Sequence, residues 1–355
     1  MRLAVSHGRE SSVTLSRHDG LPPVSQREIP PTMREIILLV ASVFFGHGAF
    51  CLWRRVKRPR RLLARALVGT GAFACTLLAA VAFVTLLGFL YYYHRPRPRS
   101  VVRPLFRGLT YTRDVRDAPR PIIIHILSVD LKTPGLRVIV TPSETEEMPA
   151  RTVSEFAREF GAQAAINANC FEPCRTESVL EFYPKSGDPV TLLGNAVSDG
   201  VAYSEGHREA LTLRFAADDT AAIGEELPNT ANAISGTHRI LESGRIPPDG
   251  LPGDMHPRTA VALTRDRGTL LMVVADGRQP GYSEGVTLEE LAEIIREHGG
   301  HDAINLDGGG SSAMVGGVPG KRPRLLNSPV HTAIPGRQRP VANHLGIALT
   351  AGHER

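Results

Sequence analysis

The stretch Ala303-Ile304-Asn305-Leu306-Asp307-Gly308-Gly309-Gly310-Ser311-Ser312-Ala313-Met314 organises the reading of this chain. Its first residues alternate as a strand does and deliver a carboxylate, Asp307, to the strand end. Three glycines and two serines follow at once. Gly-Gly-Gly is entropically costly, so a chain keeps it where the backbone needs positive φ or a close approach. Successive amides in such a turn can form an anion-binding concavity. An acid beside an anion nest is a candidate catalytic corner. Asp-Gly is equally an ordinary hairpin signal, so the surroundings decide.

Immediately upstream, Thr287 caps a helix whose apolar face is Leu288, Leu291, Ile294 and Ile295, and Gly299-Gly300 ends it. Strands are expected at Leu211–Phe215, Thr259–Leu263 and Leu270–Ala275. Further back, Pro121–Val129 and Leu136–Val140 are β-branched runs separated by the turn Thr133-Pro134-Gly135. Thr152 to Gly161 reads as a capped helix, and Ala164–Asn167 as a buried strand feeding a polar loop. His344–Leu349 closes the pattern. Many strands and few helices define an α+β class: a β-rich mixed-sheet domain with a few packed helices, preceded by an N-terminal transmembrane region.

The charge divides with that boundary. Residues 1–107 carry 17 Lys+Arg against 4 Asp+Glu, leaving 41 − 17 = 24 basic and 36 − 4 = 32 acidic residues for the remainder. The basicity therefore belongs to the first third, and nucleic acid is excluded as an expected partner because the rest has no basic face. Ala66–Tyr93 is an uncharged run of 28 residues ending in three tyrosines, long enough to span a bilayer. Ile36–Trp53, of 18 residues and interrupted by Gly46-His47-Gly48, is marginal. The block Arg54–Arg61 between them is expected to stay cytoplasmic, which places the C-terminal domain on the extracytoplasmic side with either one span or two. The expected organisation is a disordered stretch at 1–34, a membrane region with one or two transmembrane helices at 35–94, a basic Pro-rich linker at 95–119, and the folded domain at 120–350. Cys170 and Cys174 lie in the exported part, where a disulfide can persist, and are a candidate pair. They offer too few neighbouring ligands for zinc, so no metal is expected.

Several polar turns follow or precede buried strands: Asn167, Asp276-Gly277-Arg278, Asp307, and Arg258 ahead of its strand. Carboxylates can stabilise a positive glycosyl centre or move protons, while Arg and amides hold phosphate. Each also has an ordinary structural reading, as a hairpin turn or a surface ion-pair partner. No Walker A motif and no Gly-x-Gly-x-x-Gly after a strand is present, so no cofactor is expected.

Taken in order, Asn167-Ala168-Asn169-Cys170-Phe171, Gly194–Asp199, Pro257-Arg258-Thr259-Ala260, Ala275–Arg278, the helix Gly285–His298 and Asn305–Ser312 resemble the phosphodiester glycosidase family over roughly residues 120–350. Asn169 stands where the family tends to have glycine, and Cys170 where it has the first of two aromatics. The resemblance implies hydrolysis of a sugar-1-phosphodiester at the anomeric C–O bond, a GlcNAc-1-phosphodiester-like compound of the cell envelope or an exopolysaccharide. It implies Asp307 as electrostatic partner, nucleophile or base, Asp276 as second carboxylate, and Arg258 with the amides of Gly308, Gly309, Gly310, Ser311 and Ser312 as phosphodiester grip. Asn167, Asn195 and Asn305 are the implied sugar-binding residues. The expected partners are this carbohydrate and membrane lipid, with protein partners unspecified. Two rival readings remain: a glycan-binding module without catalysis, and a serine hydrolase using Ser311 or Ser312 with His331 or His344.

Overall fold

The computed structural model describes residues 31–56, 62–143, 147–204, 206, 211–218, 220–318 and 320–350. The stretch 1–30 of the expected disordered segment, and Lys57–Arg61 of the basic block, lie outside them. The chain forms two compact units, Met1–Leu86 and Leu87–Arg355.

The first unit contains α1 (Pro31–Val56) and most of α2 (Leu62–His94). Residues 31–34, expected to be disordered, open α1. Among the described residues one helical segment, Gly69–His94, is long and apolar enough to cross a membrane, and Leu38–Arg54 is a shorter apolar helix. Hydroxyls along both are satisfied locally: Ser42, Thr76 and Thr85 each donate to the carbonyl four residues back.

The second unit is mostly β. A seven-stranded antiparallel sheet runs in the order Val101–Phe106, Leu109–Arg116, Ile122–Asp130, Thr269–Ala275, Arg258–Thr264, Gly300–Asn305, His238–Leu241. A five-stranded sheet runs Arg324–Leu325, Met314–Gly316, Ala164–Asn167, His344–Leu349, Leu136–Val140. A second one runs Val201–Ser204, Ala196–Ser198, Thr230–Ser235, Thr212–Ala216, Ala221–Ile223. Leu127, Val129, Val261 and Met272 on one face of the large sheet share a core with Ile166, Leu345 and Ile347 and with Leu213 and Phe215 of the others. The opposite face, with Ile122, Ile124, Ile126, Ala260 and Val273, is covered by α4 (Leu288–Glu297). The sheet is thus buried on both sides, which is why Ile122–Ile124 reads as a continuous apolar run rather than an alternation.

Both short domain helices have the expected starts. Thr152 caps α3 (Val153–Glu159) and Thr287 caps α4, each with a reciprocal glutamate three residues on. The expected linker at 95–119 is corrected. Val101–Phe106 and Leu109–Arg116 are the first two strands of the large sheet, with Leu109 and Tyr111 pointing into the core. Arginines disguise them: Arg95, Arg97 and Arg99 run up to the first strand, Arg103 is exposed on that edge strand, and Arg107 lies in the turn between the two.

Candidate functional site

Antiparallel register brings the sequence-distant motifs together. Arg258 pairs with Ala275, and Ala260 with Asn305, so the start of one strand and the ends of its two neighbours share one sheet edge. Asp276, Asp307 and Arg258 leave that edge. Asn167 comes from the facing sheet, paired with His344.

Asp307 keeps part of its surface accessible while protein packs closely around it. Its main-chain N–H donates to Ala168 O at 3.0 Å, and its carbonyl accepts from Asn167 Nδ2 at 2.7 Å. Its Oδ1 accepts from Gly308 N at 2.9 Å and faces Cys170 Sγ at 3.7 Å. Burial raises the carboxyl pKa above the usual carboxylate range, against the opposing pull of the Ser311 hydroxyl and the Arg339 charge.

Of the five amides expected to grip the phosphodiester, four are engaged within the protein. Gly308 N is taken by Asp307, Gly309 N donates to Pro257 O at 2.8 Å, and the amides of Ser311 and Ser312 close a 3₁₀ turn onto Gly308 and Gly309. The glycines serve close approach instead. A Cβ on Gly308 would stand 3.0 Å from Pro257 O, one on Gly309 3.2 Å from Arg278 Nη1, and one on Gly310 2.7 Å from Arg339 Nη2. Gly309 also has φ +63°. The bare backbone therefore admits two guanidinium groups directly against the loop, with Arg258 packed beside Gly308.

These three arginines form no salt bridge among the described residues. Arg258 donates to the carbonyls of Asp254 at 2.7 Å and Val286 at 3.5 Å. Arg339 donates to Ser311 Oγ at 3.2 Å and His331 Nδ1 at 3.3 Å, and Arg278 meets His256 Nδ1 at 3.4 Å. Desolvation, followed by the neighbouring charge of Arg339, lowers the Arg278 pKa. Desolvation lowers that of Arg258, with Asp254 opposing and Arg278 adding. Cations held together against their mutual repulsion are suited to an incoming anion. Arg339 is not singled out by the sequence, and Arg278 stands there only within the Asp276-Gly277-Arg278 turn, with no role of its own. The Gly-Gly-Gly signal was present, but it did not say which side chains the glycines admit.

Asp276 is 1 % exposed and accepts on both oxygens: from Asn327 Nδ2 at 3.0 Å and Ser328 N at 2.9 Å on Oδ1, and from His125 Nε2 and again Ser328 N at 3.1 Å on Oδ2. His125 Nδ1 in turn meets Tyr111 Oη at 2.8 Å. The expectation of a second substrate-facing carboxylate is corrected: protein donors occupy both oxygens of Asp276, which fastens the Asn327-Ser328 segment to the sheet. Asn167 and Asn305 are likewise internal. Asn167 Oδ1 accepts from Thr259 Oγ1 at 2.8 Å and Ala313 N at 3.1 Å, bolting the two sheets together. Asn305 Nδ2 donates to Thr237 Oγ1 at 2.8 Å and Leu306 O at 2.7 Å. Asn195 lines a cleft of about 560 Å³ with Ser204, Thr212, Arg214 and Glu226, and its Oδ1 accepts from Gly206 N.

No disulfide joins Cys170 to Cys174, against the expected pairing, and Cys170 turns its sulfur toward Asp307. Asn169 does not adopt positive φ. It ties the loop by accepting from Ser235 N at 2.9 Å and donating to Leu193 O and Asn195 O at 3.1 Å. Neither histidine of the serine-hydrolase reading is hydrogen-bonded to a serine. His344 is buried between Thr141 Oγ1 and Arg151 O, and burial lowers its pKa to about 3. His331 meets Arg339, with its pKa lowered to about 4 by burial and then by the Arg339 and Arg337 charges. No group of three or more His, Cys, Asp or Glu is placed to hold a metal among the described residues.

A partly accessible carboxylate on a glycine loop, beside arginines that form no salt bridge among the described residues, is compatible with a hydrolase of glycosidase type. Residues 160–348 match the phosphodiester glycosidases, and the chain belongs to that family. It is 32 % identical over 149 residues to N-acetylglucosamine-1-phosphodiester alpha-N-acetylglucosaminidase of Mus musculus, covering 35 % of this chain and 28 % of that protein. It is 25 % identical over 224 residues to the SPbeta prophage-derived uncharacterized protein YomE of Bacillus subtilis, covering 55 % of this chain and 34 % of the relative. The match thus spans about a third of each curated relative's length. A crystal structure of a hypothetical protein from Synechocystis shares the fold, with TM-score 0.53 at 15 % identity over 71 % of this chain and 64 % of that one.

Proposed function

We infer that the protein hydrolyses a sugar-1-phosphodiester, a GlcNAc-1-phosphodiester-like compound, with Asp307 as the catalytic carboxylate. The observation that carries this reading is the Asp307–Gly310 loop, pressed between Arg278 and Arg339 by glycines that leave room for them. Arg278, Arg339 and Arg258 hold the phosphodiester oxygens. Water adds to the anomeric carbon, the anomeric C–O bond breaks, and the phosphomonoester leaves with the bonding pair. A phosphate leaves readily, so the enzyme's burden is the positive charge at the anomeric carbon, which the Asp307 carboxylate offsets. Asp276 and Asn167 position the loop and do not touch substrate.

The apolar segment Gly69–His94 serves as a membrane anchor, and the catalytic unit lies on the extracytoplasmic side, where envelope or exopolysaccharide phosphodiesters are met. The test is release of free sugar and phosphomonoester from UDP-GlcNAc and simple GlcNAc-1-phosphodiesters by the full chain beside its Asp307→Asn variant. Release by the native chain and none by a folded variant supports the reading. Equal release by both removes Asp307 from the chemistry. Saturable glycan binding without product, unaffected by the variant, establishes the binding-module alternative instead.

A further inference from the structure

The aglycone side of the site carries an inference that rests on the glycosidase reading above. The loop bearing Arg278 is fastened to the residues that close the apolar run. Tyr92 Oη donates to the Arg278 carbonyl at 2.8 Å, and Arg97 Nε donates to the Tyr282 carbonyl at 3.1 Å. Arg95 lies over the Tyr282 ring with Cζ 3.3 Å from its centroid, and donates to Ser328 Oγ at 3.2 Å and to Gln279. A Cβ on Gly281 would stand 2.9 Å from the Tyr93 carbonyl, so that loop is shaped to receive this segment. Every one of these residues belongs to the Leu87–Arg355 unit.

A second string of contacts leaves the other flank of the glycine loop. Arg339 meets His331, and the Phe182 ring packs edge-on against His331 at 4.8 Å. Arg337 lies 4.4 Å over that same Phe182 and donates to the Val179 carbonyl at 2.9 Å. This fixes the hairpin of Arg175–Thr176 and Phe182–Tyr183 beside the site. Its tip is internally bonded, with Glu177 N and Ser178 N donating to Glu181 O, and Leu180 N and Glu181 N to Ser178 Oγ. Yet this braced tip turns Leu180, 85 % exposed, and Val179, 48 % exposed, into solvent, with Ile334 of the adjoining segment 38 % exposed. A braced hairpin that holds Val179 and Leu180 outward next to an anion site, in a chain that carries a membrane-length apolar segment, matches a bilayer surface.

We propose that the aglycone is a membrane lipid: the substrate is a glycosyl-1-phospholipid whose phosphodiester rests at the headgroup level between Arg278 and Arg339, while Val179 and Leu180 enter the acyl region. In the reaction the oxygen of water bonds to the anomeric carbon and the anomeric C–O bond breaks. The lipid phosphate leaves with the bonding pair, and the surplus proton passes to solvent.

The full chain in phosphatidylcholine vesicles is given two probes, GlcNAc-1-phospho-polyprenol in the bilayer and UDP-GlcNAc in solution, and compared with its Val179→Asp/Leu180→Asp variant. The variant is expected to lose about tenfold or more on the lipid probe, since two apolar side chains no longer enter the bilayer, and to keep its UDP-GlcNAc rate. Equal rates of variant and native chain on the lipid, or a native chain that cleaves only UDP-GlcNAc, overturn the proposal. A second readout does not depend on the sugar. In a Trp53→Phe background, Leu180→Trp emission is expected to be quenched by lipids brominated on their acyl chains, and unquenched emission overturns the proposal. Quenching with neither probe cleaved strikes the glycosidase reading itself, and the proposal falls with it.

Discussion

Replacing Asp276 by Asn separates a positioning carboxylate from a reacting one. Every hydrogen bond at this carboxylate is donated into it, by Asn327 Nδ2, Ser328 N and His125 Nε2. An amide must therefore turn its NH₂ toward a donor in either orientation. Facing Asn327 and Ser328, it sets donor against donor twice. Facing His125, it is relieved only if the ring proton moves to Nδ1, which leaves the Tyr111 hydroxyl hydrogen without an acceptor. One to two buried groups are left unpaired, at about 1–3 kcal/mol each, so a loss of about 2–4 kcal/mol is expected. For a unit of this size that lowers the melting temperature on the order of 10 °C. Calorimetry is the suitable assay, because the single tryptophan, Trp53, lies in α1 and not in the Leu87–Arg355 unit. Turnover below the transition is expected to fall by no more than about tenfold, as Asn327 and Ser328 shift behind the glycine loop. A variant that melts with the native chain but has lost about a thousandfold in turnover would refute the positioning role and restore Asp276 to the chemistry.

Asp307→Asn should abolish turnover without lowering stability at neutral pH. The folded-state pKa of Asp307 is raised, so its protonated form favours the fold, and that contribution is lost as pH rises through the folded value. Thermal melts at neutral pH that place the variant well below the native chain would contradict this. The histidines act with the opposite sign: His331 and His344 have pKa values lowered to about 4 and about 3, so their stabilisation is present above about pH 6.5 and is lost as the pH falls. Urea titrations between pH 7 and 4 should therefore show falling stability, and His344→Gln should flatten that slope. Gly310→Ala places a methyl 2.7 Å from the Arg339 guanidinium, the mobile end of a long side chain. Stability should change by no more than about 1–2 kcal/mol, while turnover drops on the order of a hundredfold as a phosphodiester ligand is displaced. Unchanged turnover in that variant would remove Arg339 from the site.

The sequence by itself determined much of this protein because the signals are local. Capping boxes at Thr152 and Thr287, apolar periodicity in Leu288–Ile295, β-branched runs such as Ile122–Ile126 and an uncharged run of membrane length are each written within a few consecutive residues. The ordered motifs around Asp307 likewise pointed to the family to which the chain belongs. Two strands at Val101–Arg116 escaped because arginines running up to an edge hairpin, on its exposed strand and in its turn look the same as those of a basic linker. What the tertiary structure alone decided is which polar residue faces the ligand space and which faces protein. Asp276 and Asp307 both follow a strand and precede glycine, yet one is saturated by His125, Asn327 and Ser328 and the other looks onto Arg339. Arg339 lies 32 residues beyond Asp307 and reaches it only because Gly310 carries no Cβ. Hydrogen-bond partners and burial are set by residues distant in the chain, and no local pattern encodes them.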